Sequence, residues 1–285
     1  MVSIRKSLPL LLVLLTPLAS RSRPDAERVT AAGSSLFAQS AAKTLNNEFP
    51  DANISFLLLD AHSGQVLASR WEQANTPIPL GSLIKPFAAL AYGERHDFHF
   101  PAYTCRGFET GCWRPGGHGE LDLTSAIAYS CNSYFRFLTA ELKASDLSPT
   151  ASQFGIEPPD GDTAGPELAG LGPRWRISPM RMARAYLQLL ALRTHTAVRE
   201  IFAGMERSAR QGTGAEVDRA LHSGAALVKT GTAACTHPLH APGDGFAVTL
   251  VPADEPRLLL MVRVHGVPGS HAAKTAGEML RRIGE

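Results

Sequence analysis

The stretch Gly81-Ser82-Leu83-Ile84-Lys85-Pro86-Phe87 places a serine and a lysine three positions apart. Residues at this spacing share one face of a helix, so the Lys85 amine can reach the Ser82 hydroxyl. Pro86 is compatible with a helix here, because a backbone N–H in the first turn has no helical partner. A serine hydroxyl is a weak nucleophile that needs a base. The stretch therefore predicts a helix start that presents Ser82 as a nucleophile and Lys85 as its base.

A second motif, Ser130-Cys131-Asn132, follows in the middle of the chain. We expect the Ser130 hydroxyl to relay a proton to a leaving group and the Asn132 amide to hold an amide of the substrate. A Ser-x-Asn motif alone occurs often by chance. It is informative here because it lies between the first and the third motif.

The third motif is Lys229-Thr230-Gly231-Thr232, on a predicted strand near the C-terminus. A second cation lowers the pKa of a nearby lysine, and Lys229 is the candidate for that role beside the base. Gly231 allows close approach of a substrate backbone, and the hydroxyls of Thr230 and Thr232 can bind a carboxylate. The backbone N–H groups of Ser82 and Thr232 are the expected oxyanion hole.

Strand patterns lie near both ends of the chain and helical patterns lie between them. The predicted strands are 54–60, 65–70, 225–232, 246–252 and 257–264, and the predicted helices are 85–92, 123–142, 178–192 and 271–283. This order predicts an α+β fold in which an antiparallel sheet is built from both chain ends and flanked by helices, with a helical lobe inserted at about 85–200. The Gly- and Pro-rich stretch 155–173 is a long loop, which suggests a function for it.

The N-terminus has the layout of a secretory signal peptide. Arg5 and Lys6 precede the apolar run 8–18, and the small residues Ala19 and Ser20 follow. We expect a signal at 1–20, cleaved or kept as an anchor, then a linker and N-terminal helix at 21–48 and a catalytic domain at 49–285. The folded part is accordingly expected outside the cytoplasm, in the periplasm or cell envelope.

Composition excludes several classes of function. Hydrophobic residues make up 44% of the 285 residues and the net charge is +2, which suits a globular protein and gives no reason to expect a nucleic-acid partner. In an oxidising compartment Cys105 and Cys112 are spaced to close a small disulfide loop, while a Cys131–Cys235 disulfide stays an open alternative. No cofactor and no metal are expected, because His237 and His240 have no matching pair of cysteines.

With these motifs in order, the chain resembles the transpeptidase domain of penicillin-binding proteins. The resemblance extends from about residue 50 to the end of the chain. Its segments are Leu59–Ala68, Gly81–Phe87, Cys105–Cys112 with Trp113 and Gly117–Gly119, Ala126–Phe135, Gly165–Gly170 and Ile177–Tyr186. It implies acylation of Ser82 by a peptide ending in D-Ala-D-Ala or by a β-lactam. The implied partners are peptidoglycan stem peptides, β-lactams and other cell-wall synthesis proteins.

Three functions remain open on the sequence. The first is a DD-transpeptidase or DD-carboxypeptidase. The second is a serine β-lactamase, in which Glu167 would activate water or, as in class D enzymes, a modified active-site lysine would act. Ala169 stands where the glutamate motif calls for asparagine, which favours the first function. The third is a sensor or scaffold domain without catalysis, which the intact motifs disfavour.

Overall fold

The computed structural model describes residues 24–222, 224–235 and 243–285, with side chains from residue 35 onward. The predicted signal peptide at 1–20 and the histidines His237 and His240 lie outside the described residues. None of the described helices is both long enough and apolar enough to cross a membrane.

Strands and helices are numbered in chain order. The strands are β1 (Ile54–Asp60), β2 (Val66–Arg70), β3 (Ile78–Pro79), β4 (Tyr103–Cys105), β5 (Gly119–Leu121), β6 (Arg176–Ile177), β7 (Leu227–Ala233), β8 (Asp244–Val251) and β9 (Leu258–His265). The helices are α1 (Pro24–Glu48), α2 (Lys85–Arg95), α3 (Leu123–Ala128), α4 (Asn132–Leu138), α5 (Ala144–Gln153), α6 (Pro179–Ala191), α7 (Arg199–Gln211), α8 (Ala215–Ala220) and α9 (Gly269–Arg282).

The main sheet has the order β2-β1-β9-β8-β7, and its neighbouring strands are antiparallel. Successive residues of a strand point to opposite faces. In β1, Leu57 and Leu59 pack into the core below the helical lobe, whereas Phe56 and Leu58 pack into the core below α1 and α9. Both faces of the sheet are therefore covered, which explains the nearly continuous apolar runs of its strands. The predicted α+β class, with a sheet drawn from both chain ends, is confirmed.

The helical lobe departs from prediction at the second motif. The segment 123–142 was expected to be one helix, but it forms α3 and α4 with a turn between them. Ser130 in that turn has a φ of 50°, in the left-handed region that residues other than glycine rarely adopt. Cys131 then caps α4, because its Sγ accepts a hydrogen bond from the backbone N–H of Tyr134 at 3.5 Å. The apolar periodicity continues through the break since both helices bury one face, so the pattern alone hides it.

Candidate active site

The nucleophile candidate lies in a short 3₁₀ helix that leads directly into α2. Ser82 belongs to the 3₁₀ turn Gly81–Ile84, and the α-helix itself begins at Lys85 with Pro86 in its first turn. The expectation that Ser82 stands at the start of a helical segment holds, although the first turn is 3₁₀ rather than α. The Tyr186 hydroxyl fixes this turn from below by donating to the Leu83 carbonyl at 2.8 Å.

The edge strand β7 lies against this turn so closely that two glycines are required. Gly81 has a φ of +56°, and a Cβ at this position would lie 2.2 Å from the Thr232 carbonyl oxygen. A Cβ on Gly231 would lie 2.6 Å from the Leu80 carbonyl oxygen. The backbone around Ser82 and the backbone around Thr232 are thus in contact, as the expected oxyanion hole requires.

Lys85 is fully buried and its amine points to the second motif. Its Nζ donates to the Ser130 carbonyl oxygen at 2.7 Å and to Asn132 Oδ1 at 2.8 Å, and it lies 3.4 Å from Ser130 Oγ. Burial lowers the pKa of Lys85 to about 7, against an opposing effect of the Cys131 and Cys112 thiols. An amine with this pKa is substantially neutral at physiological pH and can accept a proton.

Lys229 approaches Ser130 from the opposite side. Its Nζ donates to Ser130 Oγ at 2.9 Å and to the Thr230 carbonyl oxygen at 2.6 Å. Burial, and then the charge of Lys85, hold the pKa of Lys229 well below its usual range. The two lysines therefore interact as the sequence suggested, and the Ser130 hydroxyl lies between their amines.

A groove of about 740 Å³ runs across these motifs. Six of the eight predicted site residues line it: Ser82, Ser130, Asn132, Thr230, Gly231 and Thr232. The other two, Lys85 and Lys229, lie beneath its floor with no exposed surface. The structure thus brings all eight predicted residues to one place.

Two polar contacts in the groove were not predicted. Thr230 Oγ1 donates to Thr213 Oγ1 at 2.6 Å, and the Gly269 N–H donates to Thr232 Oγ1 at 2.9 Å. Both contacts orient threonines of the third motif. Thr213 follows the C-terminal end of α7 and Gly269 is the first residue of α9, and nothing in the local sequence identifies either residue.

Trp113 and Trp175 differ in their exposure. Trp113 is 51% exposed and lines the groove. Trp175 is buried, and its Nε1 donates to the Glu157 carbonyl oxygen at 2.8 Å. Trp175 is therefore a packing residue, whereas Trp113 is available to a ligand.

Comparison with known proteins identifies the family. A family model described as the penicillin-binding protein transpeptidase domain matches residues 54–285. The chain belongs to the penicillin-binding protein transpeptidase family. The resemblance stated from the motifs is thereby confirmed.

A curated relative of this transpeptidase domain is the peptidoglycan D,D-transpeptidase MrdA of Acinetobacter baumannii. It is 27% identical over 113 residues, which cover 35% of this chain and 16% of that relative. The aligned part is thus a small fraction of the relative's length.

Solved structures show the same fold at lower identity. Penicillin-binding protein PBP2 of Pseudomonas aeruginosa, in complex with WCK 5153, has a TM-score of 0.70 and 17% identity over 87% of this chain and 73% of that one. The transpeptidase domain of Burkholderia pseudomallei penicillin-binding protein 3 has a TM-score of 0.64 and 18% identity, covering 88% of this chain and 92% of that one. PBP2 of Helicobacter pylori, in a complex with MreC, has a TM-score of 0.71 and 17% identity over 85% of this chain and 62% of that one.

Glu167, the alternative water activator, lies on the 3₁₀ turn Gly165–Ala169 of the long loop. Its carboxylate pairs with Arg174 at 3.5 Å, and it is not among the residues that line the groove, where Leu171 represents this loop. The transpeptidase domain therefore has Glu167 in an ion pair outside the groove.

A cluster of three cysteines and one histidine lies directly behind the second motif. Cys105, Cys112, His118 and Cys131 place one ligand atom each within 4.8 Å of all the others. His118 Nδ1 is 3.5 Å from both Cys105 Sγ and Cys112 Sγ, and Cys112 Sγ is 3.8 Å from Cys131 Sγ. Cys105 is the last residue of β4, Cys112 and His118 lie in the loop between β4 and β5, and Cys131 belongs to the second motif.

This spacing matches a tetrahedral zinc site. Zn–S bonds of about 2.3 Å and Zn–N bonds of about 2.0 Å at tetrahedral angles separate two sulfurs by ~3.8 Å and a sulfur from a nitrogen by ~3.5 Å. The Gly107 N–H also hydrogen-bonds the Cys105 sulfur, and the Arg114 N–H hydrogen-bonds that of Cys112. Such N–H groups support thiolate ligands.

Two expectations about disulfides change here. The proposed Cys105–Cys112 disulfide is wrong, because both residues are free thiols in this structure. A Cys131–Cys235 disulfide was the open alternative. In the structure the Cys131 sulfur instead contacts the Cys112 sulfur. The expectation that no metal is bound considered only His237 and His240. That expectation did not consider Cys105, Cys112, His118 and Cys131 as ligands. These residues are visible in the sequence, but they lack a paired C-x-x-C spacing.

We predict that purified protein carries zinc at this cluster and that the Cys112→Ser variant loses it. The variant should melt at a lower temperature and acylate more slowly, because the cluster holds Cys131 between Ser130 and Asn132. Metal analysis, thermal denaturation and penicillin labelling measure the three effects. A zinc-depleted wild type with unchanged melting temperature and labelling rate would contradict this role.

Proposed function

We propose that this protein is a serine acyltransferase that acts on peptidoglycan stem peptides ending in D-Ala-D-Ala, through an acyl-enzyme on Ser82. The observation that carries the proposal is the convergence of two buried amines, Lys85 and Lys229, on the Ser130 hydroxyl, in the groove that Ser82 also lines. Burying two lysine amines costs folding free energy, so a purely structural arrangement gives no reason to keep them.

In the first half-reaction, neutral Lys85 accepts the Ser82 proton as Oγ attacks the carbonyl carbon of the penultimate D-Ala. The C–O bond forms, and the negative charge on the carbonyl oxygen is held by the N–H groups of Ser82 and Thr232. The amide C–N bond then breaks. Ser130 gives its proton to the departing amine of the terminal D-Ala and regains one from a lysine.

In the second half-reaction, an amine of another stem peptide or a water molecule attacks the ester carbonyl. The attacking group loses a proton to the same lysine and serine pair, and Ser82 Oγ leaves as the hydroxyl. An amine acceptor gives transpeptidation, and water gives carboxypeptidation. A β-lactam enters the first half-reaction in the same way, except that its leaving amine stays tethered.

Substrate orientation is assigned to the edge strand β7. The hydroxyls of Thr230 and Thr232 face the groove and are oriented by Thr213 and Gly269. They are suited to the terminal carboxylate of D-Ala-D-Ala, with the charge of Lys229 nearby. Asn132, whose Oδ1 is held by Lys85, has its amide NH₂ available for a carbonyl of the donor peptide.

A time course of intact mass after addition of benzylpenicillin tests the proposal against the β-lactamase alternative. We expect a persistent adduct, equal in wild type and in Glu167→Ala, because Glu167 lies in an ion pair outside the groove. Rapid turnover of penicillin that is lost in Glu167→Ala would favour a β-lactamase. A parallel assay with a pentapeptide ending in D-Ala-D-Ala should release D-Ala. Failure of both reagents to react would favour a sensor or scaffold.

Location and partners follow the same proposal. We infer that the domain works outside the cytoplasm, where stem peptides are, with residues 1–20 as its secretion signal. The H. pylori PBP2 structure is a complex with MreC, so a cell-wall synthesis protein is a reasonable partner class here. Co-purification from cells that carry a tagged chain tests this inference.

A further inference from the structure

A second group of metal-ligand side chains lies at the far end of the third motif. Cys235 follows two residues after β7, Asp244 is the first residue of β8, and His265 is the last residue of β9. These three strands are neighbours in the sheet. The register pairs Asp244 with Ala233 on one side and with His265 on the other. Three different strand ends thus bring their side chains to one point.

The ligand atoms are close enough to share one ion. All three lie within 4.8 Å of one another. His265 Nδ1 is 2.7 Å from Asp244 Oδ1 and 3.8 Å from Cys235 Sγ. The side chains of His265 and Asp244 are only 6% and 1% exposed.

Asp244 also has a buried oxygen whose partner is missing. Its Oδ2 is enclosed and accepts no hydrogen bond among the described residues. A buried carboxylate oxygen without a hydrogen-bond partner destabilises a fold. Arg263 interacts electrostatically with Asp244, but its guanidinium is directed to Ser55 Oγ at 3.0 Å and over the Trp71 ring at 4.9 Å. A metal ion would satisfy the oxygen that Arg263 leaves without a hydrogen bond.

The three ligand types suit Zn²⁺. Thiolate, imidazole and carboxylate are its ordinary ligands, and three protein ligands with a water molecule complete a tetrahedron. The thiolate and the carboxylate together neutralise the two charges of the ion. The present 2.7 Å contact between His265 and Asp244 is shorter than the ~3.3 Å between two ligands of one zinc ion. Binding therefore replaces this hydrogen bond, leaves His265 Nδ1 without its proton, and displaces the proton of the Cys235 thiol.

We propose that Cys235, Asp244 and His265 form a second zinc site, separate from the cluster behind the second motif. Zinc there joins the ends of β7, β8 and β9 three residues beyond Thr232. It holds the end of the strand that lines the groove, whose Gly231 is packed against the nucleophile turn. The ion takes no part in acyl transfer. The ordinary alternative, a buried His–Asp ion pair without metal, is an outcome of the test.

Cobalt titration of the zinc-depleted full-length chain tests the site. Wild type should bind two equivalents of Co²⁺, whereas Cys235→Ser and Cys112→Ser should each bind one. The thiolate-to-cobalt absorption should fall by roughly a quarter in Cys235→Ser, because one of four coordinating thiolates is lost. Asp244→Asn is a second variant that keeps the shape of the side chain and should weaken the same equivalent.

Folding and function are checked separately in the same samples. Melting temperature and penicillin labelling identify any variant that fails to fold, and Cys235→Ser is the safer variant because Cys235 is only partly buried. A single wild-type equivalent that survives in Cys235→Ser, or two equivalents that survive in both Cys235→Ser and Asp244→Asn, would overturn the proposal. Since metal stoichiometry is measured without substrate, this result does not depend on whether the proposed acyltransferase function is correct.

Discussion

The Ser82→Ala variant is expected to show no increase in mass after prolonged incubation with benzylpenicillin, while wild type gains one covalent equivalent. The hydroxyl of Ser82 is the attacking atom of the proposed reaction, and no nearby group replaces it. Ser130 is held between two lysines, but it lies on the side of the leaving group. The adduct should therefore not move to Ser130.

The matched control is Ser148→Ala, on α5, whose hydroxyl donates to the Ala144 carbonyl of its own helix at 2.9 Å. This variant removes a serine hydroxyl outside the groove and should label like wild type. Peptide mapping of the wild-type adduct should place the added mass on Gly81–Phe87. An adduct that persists in Ser82→Ala, or that maps to another peptide, would refute the assignment of the nucleophile.

Replacing Lys85 by methionine should slow acylation by ~10²–10⁴-fold, which is the usual contribution of a general base. Methionine is close to lysine in length and needs no charge partner, so the buried site can accept it. In wild type, the acylation rate should rise with pH around a midpoint of about 7, because Lys85 acts only when neutral and burial lowers its pKa to about 7. The rate should level off above pH ~8, about one unit past that midpoint.

Stopped-flow labelling with a chromogenic or fluorescent β-lactam between pH 5 and 9, a range set around that midpoint, measures this profile. Lys274→Met, on the exposed face of α9, is the control and should keep both the rate and the midpoint. If Lys85→Met keeps the wild-type rate, or if its pH profile is unchanged, another group must act as the base.

The sequence predicted the sheet and the three motifs well, because both signals are local. An apolar run bounded by turn residues, such as 54–60, can be recognised as a strand from its own sequence. The motif residues can be recognised because their spacings are fixed. The break at Ser130 was missed because hydrophobic periodicity reports which face is buried and not whether the backbone is continuous. The helices α5, α7 and α8 and the short strands β4 and β5 were also not predicted.

The site residues that escaped prediction depend on tertiary contacts. Thr213 matters only because α7 ends beside β7, and that neighbour is 17 residues away in sequence. The cysteine cluster needed the loop between β4 and β5 to fold back onto the second motif. Cys131 was considered as an alternative disulfide partner of Cys235, and not as a ligand, for the same reason: its contacts lie in another element.

The position of β9 has a consequence for how the protein acquires activity. β9 lies between β1 and β8, so it joins the strand that opens the domain to the pair that carries Lys229. Until β9 has left the ribosome, the main sheet consists of two separate parts. No strand of that sheet then connects β1, which precedes Ser82 in the chain, to the β7–β8 pair that carries Lys229. Pairing across such a sequence separation is slow, because loop closure precedes the contacts that stabilise it. The site that contains Ser82 and Lys229 is therefore completed only after β9 has been made.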